Sequence, residues 1–207
     1  VVNSAGSATG PGLVTVAAGA VLAGPGIIGG LVQNDGVVAP AGFIGNSVGT
    51  LTVNGTYSQF ATGSLRIDIE SSASNDLLVV TGGGASVAAG TLDVQLVSGF
   101  SPALGDSFTI LTAAFISGQF PTTNLPGLAV GLAWRVEYLS NAVRLVVVSD
   151  TCRADVNADG ELNPDDLADY IGAFFAIPPG TGSDFNQDGL TDPDDLADYI
   201  GAFFAGC

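Results

Sequence analysis

Residues 36–69 read GVVAPAGFIGNSVGTLTVNGTYSQFATGSLRIDI. Short apolar bursts alternate here with Gly, Asn and Pro, and no amphipathic pattern is long enough for a helix. Inside the bursts apolar and polar side chains alternate, as in LTV at 51–53 and LRIDI at 65–69, which is the period of a β-strand. The stretch therefore predicts a series of short strands joined by tight turns.

The same pattern extends over residues 1–149 and predicts a mainly β fold, a parallel β-solenoid. Many short strands also suit a sandwich or a barrel, but bursts this short, with glycine at the breaks, favour stacked turns of about 20–25 residues. The segment would then form about six or seven turns. From about residue 92 the apolar segments are longer, and we expect them to cap the solenoid, because exposed solenoid ends need covering.

Two stretches carry a resemblance to a known architecture. Residues 36–69 and the sequence GTLDVQLVSGFSPALGDSFTILTA at 90–113 resemble the passenger β-helices of autotransporter-like proteins. The resemblance covers about residues 15–115. Regions of this kind act mainly as surface stalks, adhesins or scaffolds, and most have no catalytic site. The resemblance therefore implies a rigid body at a cell surface.

The charge of the chain is uneven. Its 207 residues carry a net charge of −16, with four Arg, no Lys and no His. Thirteen of the 20 acidic residues lie in 150–207, so we place a domain boundary at about residue 149. The scarcity of basic residues argues against nucleic acid as a partner, and no apolar run reaches the roughly 20 residues of a membrane-inserted helix. Cations are the expected partners of the acidic segment.

A tandem repeat fills this acidic segment. The sequence DDLADYIGAFFA occurs at 165–176 and again at 194–205. A 12-residue loop precedes each copy, DVNADGELNPDD at 155–166 and DFNQDGLTDPDD at 184–195. Each loop offers oxygen ligands at the EF-hand positions 1, 3, 5, 7, 9 and 12, with Gly at position 6 for the sharp turn. The predicted ligands of two calcium ions are Asp155, Asn157, Asp159, Glu161, Asn163 and Asp166 in the first loop, and Asp184, Asn186, Asp188, Leu190, Asp192 and Asp195 in the second.

Calcium explains these loops better than the alternatives do. A pair of solvated acidic turns would not require two full matches in a duplicated frame. Zinc or copper would require His or Cys inside the loops, and neither residue occurs there. The loops therefore predict calcium as the cofactor, with folding of the segment linked to the ion.

A helix is predicted after each loop. Pro164 and Pro193 suit a first helical turn, and Asn163 and Asp192 can cap it. Apolar residues then recur at helical spacing, and we expect the two stripes to pack on each other. The stripes consist of Leu167, Tyr170, Ile171, Phe174 and Phe175 in the first helix, and Leu196, Tyr199, Ile200, Phe203 and Phe204 in the second.

The only two cysteines bracket the repeat. Cys152 lies just before it and Cys207 is the last residue. They are either free thiols, a metal-binding pair or a disulfide, and the disulfide is favoured because it would tie the two ends of the segment together. A loop of that length would gain roughly 4 kcal/mol on the chain-entropy model, and the bond would imply an oxidising, extracytoplasmic location.

The repeat resembles a dockerin. The resemblance covers about 55 residues and rests on the two DxNxDG starts, on Asp instead of Glu at position 12, and on one helix per loop. Dockerins are calcium-dependent modules that dock secreted proteins onto cohesin domains. The chain departs from the family at loop positions 10 and 11, where the usual small hydroxyl pair is replaced by Pro-Asp, and its helices have no Lys or Arg. The resemblance therefore implies calcium binding more strongly than cohesin recognition.

Enzymatic chemistry has little support in the sequence. The absence of His and Lys excludes Ser–His–Asp and Cys–His nucleophile systems. Arg66, Asp68 and Glu70 alternate along one predicted strand, and we interpret them as a solvated face opposite buried aliphatic residues.

The function that these observations favour is structural. We predict an extracellular or cell-surface protein that is not an enzyme and whose calcium module docks with a protein partner. That partner is either another copy of the chain, which would produce filaments, or a cohesin-like receptor in extracellular polysaccharide degradation. A β-helix carbohydrate-active enzyme is the least favoured alternative.

Overall fold

A computed structural model describes residues 7–42, 48–97, 99–129, 132–149, 153–157, 159, 161–176, 183–186 and 189–206. The chain divides into two compact units, Val1–Leu128 with Trp134–Val148, and Ala129–Ala133 with Ser149–Cys207. Among the described residues, no helix is both long and apolar enough to span a membrane.

The first unit is a parallel β-solenoid, as the sequence predicts. Its strands are β1 (Ser7–Thr9), β2 (Val14–Val16), β3 (Val21–Ala23), β4 (Gly26–Ile28), β5 (Val32–Asn34), β6 (Val37–Ala39), β7 (Thr50–Val53), β8 (Tyr57–Gln59), β9 (Ser64–Ser71), β10 (Ser74–Asn75), β11 (Leu77–Val80), β12 (Ala85–Ser86), β13 (Thr91–Leu96), β14 (Ser107–Thr112), β15 (Ile116–Ser117), β16 (Thr122–Asn124), β17 (Leu132–Tyr138) and β18 (Ala142–Ser149).

The strands form three sheets, one for each face of the solenoid. The first sheet has the order β1-β4-β7-β11-β14-β18-β17. The second has the order β16-β13-β9-β6-β3, with β10 paired to β9, and the third has the order β15-β12-β8-β5-β2. Because successive strands of the chain pass from one sheet to the next, each turn stacks in parallel on the preceding one.

Aliphatic side chains in register fill the interior. Leu51, Leu78 and Leu111 align across the first sheet, and Val38, Leu65 and Leu92 align across the second. Each of these six side chains is at most 2% exposed. Full burial of an aliphatic side chain contributes about 1.5–3 kcal/mol, so these columns hold the turns together.

The turns are longer and fewer than the sequence predicts. Stacked partners lie 16 residues apart at Val21 and Val37, but 27 apart at Val37 and Ser64 and 31 apart at Thr91 and Thr122. The expected 20–25 residues per turn is therefore too low for most of the solenoid, and six or seven turns is too many. The reason is that added loops and a hairpin lengthen the later turns without adding a rung.

The sequence predicts a cap on the solenoid from about residue 92, but the antiparallel strand pairing at this end begins later in the chain. Apart from the short hairpin of β10 with β9, the strands up to β16 stack in parallel, and β18 pairs antiparallel with β14. Aromatic rings pack at this end, where Phe108 meets Phe100 and Trp134 edge-on at centroid distances of 6.1 and 6.0 Å. The Trp134 indole N–H donates a hydrogen bond to the carbonyl of Pro126 at 2.9 Å.

The buried side chain of Asp76 connects its own segment of the solenoid to the segments that contain Gly49 and Asp68. One carboxylate oxygen accepts a hydrogen bond from the Gly49 amide at 2.8 Å, and the other accepts from the Asp68 amide at 3.1 Å. Asp76 is 0% exposed, and its burial raises the pKa to about 7 although backbone N–H donors, including that of Ala41, oppose the shift. Asp76 is therefore a titrating group inside the wall.

Asp68 corrects the interpretation of Arg66, Asp68 and Glu70 as a solvated face. Asp68 is only 1% exposed, and its carboxylate pairs with the Arg66 guanidinium at 3.2 Å. Burial raises the pKa of Asp68, and Arg66 opposes that rise. Glu70, which is partly exposed, accepts a hydrogen bond from Ser74 in the short hairpin that folds back on β9. Strand alternation alone places Asp68 on the outer surface of the sheet, so its burial depends on contacts beyond β9.

We expect the solenoid to lose stability as the pH rises from 5 to 8. The folded pKa of Asp76, about 7, lies above the value of about 3.9 for an unfolded aspartate. The folded chain therefore binds this proton more tightly, so the contribution is complete below pH ~4 and is lost as the pH rises through 7. The loss from pH 5 to 8 is on the order of 3 kcal/mol. Urea unfolding followed by Trp134 fluorescence would measure it.

The variant Asp76→Asn tests whether Asp76 causes this pH dependence of stability. Its amide cannot accept hydrogen bonds from both backbone donors, so it is less stable at pH 5 and its stability no longer depends steeply on pH. Glu70→Gln removes an equal charge at the same hairpin and should keep the wild-type slope. An unchanged slope in Asp76→Asn would assign the pH dependence to other groups.

Candidate metal centre

The second unit contains the two predicted helices, α1 (Pro164–Phe174) and α2 (Pro193–Ala205). Each begins with proline because its missing N–H is not needed in the first turn. The side chain of Asn163 accepts from the Asp165 amide at 2.8 Å, and that of Asp192 accepts from the Asp194 amide at 2.9 Å. Both predicted caps are therefore formed.

Two tyrosines at equivalent repeat positions form the centre of this unit. The rings of Tyr170 and Tyr199 stack with centroids 3.9 Å apart and planes within 7°. Phe185 packs edge-on against both rings. The Tyr170 hydroxyl donates to the carbonyl of Ser183 at 3.0 Å, and the Tyr199 hydroxyl donates to that of Ala154 at 3.3 Å. The duplication thus produces a nearly symmetric aromatic core beside the two loops.

Part of each apolar stripe remains outside that core. Tyr170 and Tyr199 are buried, and Leu167, Phe174, Leu196 and Phe203 are half-buried against them. By contrast, Phe175 is 68% exposed and Phe204 is 80% exposed, and Ile171 and Ile200 are about 40% exposed. The predicted packing of the two stripes is therefore confirmed in part: it forms around the two tyrosines, and the outer residues of each stripe stay exposed.

The position-12 carboxylates close the two loops. Asp166 accepts from the amides of Val156, Asn157 and Asn163 at 3.0, 3.3 and 2.9 Å. Burial works against its charged form, but these donors prevail and hold the pKa of Asp166 below its usual range. The side chain is 0% exposed, so it ties the start of the loop to its end as a buried anion.

Asp195 repeats this arrangement in the second loop. It accepts from the amides of Asn186 and Asp192 at 3.1 and 2.9 Å, and it is also 0% exposed. Donation by the Asp192 and Asn186 amides lowers the pKa of Asp195. Both loops therefore hold an ionised carboxylate at the position where the sequence predicts a calcium ligand.

Oxygen atoms of the first loop turn toward its own backbone. Asp155 and Asn157 both accept from the Asp159 amide, at 3.2 and 2.9 Å. Asp159 accepts from the Glu161 amide at 2.8 Å. These bonds connect Asp155, Asn157, Asp159 and Glu161, and they engage one oxygen of each accepting side chain.

The second loop contains the strongest sign of a cation site. Gly189 has a φ of +93°, a left-handed conformation that favours glycine, and its amide donates to Oδ2 of Asp184 at 3.0 Å. The other oxygen, Oδ1 of Asp184, is buried and meets no hydrogen-bond donor among the described residues. A buried anionic oxygen without a donor is costly unless a cation balances it, so the residues fit calcium at this loop.

Other predicted ligands are less informative. Glu161, Asn163 and Leu190 lie in the described loops, and since the Leu190 side chain has no oxygen, only its backbone carbonyl could serve. Asp188, Cys152 and Cys207 lie outside the described residues, so the fifth position of the second loop and the proposed disulfide remain predictions. Within the described residues, no three Asp, Glu, Cys or His side chains converge as a metal-binding group.

Comparison with known proteins adds no assignment: the chain matches no protein-family model and no curated protein. The resemblances to dockerins and to autotransporter-like β-helices therefore rest on motif spacing and repeat pattern. Calcium binding by the two loops stays a prediction, and the buried Oδ1 of Asp184 is the feature of the described residues that fits it.

Proposed function

We propose that the chain is an extracellular, non-catalytic structural protein whose C-terminal module binds two calcium ions and docks with a second copy of the chain. The observation that carries the docking proposal is the exposure of Phe175 and Phe204. These rings occupy equivalent positions in the repeat, so the module offers two similar apolar patches. Exposed aromatic clusters on soluble proteins mark interaction sites more often than isolated aliphatic residues do.

Calcium has a structural role in this proposal. The ion would bind the loop oxygens that include Oδ1 of Asp184, and it would offset the repulsion among the loop carboxylates. Because the loops lead directly into α1 and α2, ordering them fixes where each helix begins. The aromatic patches are then presented in a defined arrangement, and docking depends on calcium through folding.

A second copy is the partner that suits the surface best. The residues by which dockerins recognise cohesins are replaced here by Pro164-Asp165 and Pro193-Asp194. A module with two equivalent patches can bind one neighbour through each, and such pairing continues as an open filament unless the symmetry closes it. The solenoid would then form the rigid body of each subunit.

A non-catalytic body is consistent with the side chains of the solenoid. Asp68, the central acid of the alternating set Arg66, Asp68 and Glu70, is buried and paired with Arg66. No His or Lys is present in the chain to act as a general base.

Removal of the patches should prevent assembly. In millimolar calcium we expect sedimentation velocity to show large assemblies of the wild-type chain, which dissociate in excess chelator. The double variant Phe175→Ser with Phe204→Ser should sediment as a monomer, because truncation of a central aromatic residue costs on the order of 2 kcal/mol in binding.

The matched control is Leu104→Ser, which changes a side chain of the solenoid that is 64% exposed. It should assemble like the wild type. A wild-type monomer in both solutions would transfer the docking role to a different partner, such as a cohesin-like receptor. Assemblies that persist in the double Phe variant would place the interface elsewhere.

A further inference from the structure

A polar track runs along the outer surface of the third sheet. Its outward side chains align in register from strand to strand, in the order Thr15, Gln33, Ser58, Ser86 and Ser117. Neighbouring strands in a sheet are about 4.8 Å apart, so hydroxyl and amide groups repeat at that spacing along the solenoid axis. The side chains between them, such as Tyr57 and Ala85, face inward and are buried.

An aromatic ring interrupts this track beside a cavity. The cavity has a volume of about 270 Å³ and is lined by Thr56, Ser58, Ser86, Ser117 and Phe115, with Gly84. Phe115 is 59% exposed, more than Phe60, so its ring is accessible to a ligand. A Cβ atom at Gly84 would overlap the Phe115 ring, so the ring lies directly against the backbone there. Glycine at this position makes room for the ring.

The chemistry of the cavity suits a ligand that has one apolar surface and several hydroxyl groups. Phe115 offers a flat apolar surface, and the serines can both donate and accept hydrogen bonds. No lining residue is charged, which leaves an ionic ligand without a partner in the cavity. Residues 1–149 carry seven acids and three Arg, and this acidic balance also disfavours anionic ligands.

We propose that this surface binds a neutral polysaccharide chain. One sugar ring places its C–H surface on Phe115, and its hydroxyl groups bond to the serines of the cavity. The volume, slightly below the ~300 Å³ at which pockets for drug-sized ligands begin, accommodates a single ring. The adjoining sugars extend along the track toward Gln33 and Thr15. The site lies on the solenoid and goes beyond the calcium-dependent docking proposed above.

Affinity electrophoresis of the full chain tests this proposal. The gels contain a mixed-linkage β-glucan, a galactomannan or, as an acidic comparison, polygalacturonate. We expect at least one neutral polymer to retard the protein and polygalacturonate not to do so. Phe115→Ala should weaken retention by tenfold or more. Gly84→Ala, which displaces the ring, should weaken it in the same direction.

The matched control is Phe60→Ala, which removes an aromatic residue that is 40% exposed and lies outside the cavity. It should keep wild-type retention, and thermal unfolding should show that all variants are folded. Retention should also persist in excess chelator, which separates this site from the calcium module. The proposal is overturned if no neutral polymer retards the folded chain, if Phe115→Ala is retained like the wild type, or if retention disappears with calcium.

Discussion

The variant Asp184→Ala is expected to bind one calcium ion per chain where the wild type binds two. Asp184 lies at position 1 of the second loop, its Oδ2 accepts from the Gly189 amide, and its Oδ1 is the buried oxygen without a donor. Alanine removes both a ligand oxygen and the bond that shapes the turn. Affinity at this loop should fall by on the order of 100-fold or more, since even the loss of a supporting residue costs 10–100-fold.

The folding of α2 should change with the ion. Binding energy at a site that does not exist in the unfolded chain is folding energy, so a calcium titration of the wild type should raise helix content. In Asp184→Ala the rise should be about half as large at the same calcium concentration. Isothermal titration calorimetry would measure the stoichiometry, and far-ultraviolet circular dichroism would measure the helix content.

Asp194→Ala provides the matched control. It removes the same charge from an exposed position in the first turn of α2, where a carboxylate adds only about 0.3–1 kcal/mol through the helix dipole. It should still bind two ions. If both variants lose calcium equally, the acids attract calcium only as a diffuse negative surface. If Asp184→Ala still binds two ions, the residue at position 1 of the second loop is not a calcium ligand.

The helices of the module are predictable because their signals are local. A capping residue, a proline and two acids lie next to one another at Asn163–Asp166, and these interactions need no distant partner. Burial along the stripe is not local, since it depends on how the two helices meet. The close stacking of Tyr170 on Tyr199 leaves Phe175 and Phe204 outside the aromatic core, where each contacts only the edge or face of the preceding phenylalanine and stays largely exposed.

The longer strands of the solenoid are equally predictable, but its short strands and the lengths of its turns are not. Apolar alternation marks strands such as β9, whereas β10 and β16 contain no apolar residue and the connections between strands have no period. The hairpin at 71–75 lengthens one turn, and Asp68 is buried although alternation places it on an outer surface. Asp76 lies between this hairpin and the apolar run LLVV. An acid directly before a buried strand is the one sequence signal that could have revealed the hairpin.

Phe115 escapes sequence reasoning for a different reason. It stands between two alanines and a two-residue strand, without a motif around it. Its position matters only because Ser58, Ser86 and Ser117 come from three different turns that stack in register. Register across turns of unequal length is a tertiary property, so a site of this kind appears only in the folded chain.

Gly82→Ala is expected to destabilise the solenoid by on the order of 3 kcal/mol. Gly30, Gly55 and Gly82 stack at the corner between the first and third sheets, and the Gly55 amide donates to the Gly30 carbonyl at 3.1 Å. A Cβ at Gly82 would overlap the carbonyl oxygen of Asn54 in the preceding turn, and that contact is with backbone, which cannot rotate away. Strands on both sides of the corner must therefore separate. Urea unfolding followed by Trp134 fluorescence, in chelator, would measure the loss of stability of the solenoid.

Gly127→Ala is the matched control, because a Cβ at Gly127 meets nothing within 4 Å and its backbone does not need a positive φ. It should be as stable as the wild type or slightly more so, since alanine reduces the conformational freedom of the unfolded chain. Equal stability of the two variants would show that the corner can widen at little cost. In that case the buried aliphatic columns alone would determine the spacing of the turns, and glycine at the corner would be a tolerated residue instead of a required one.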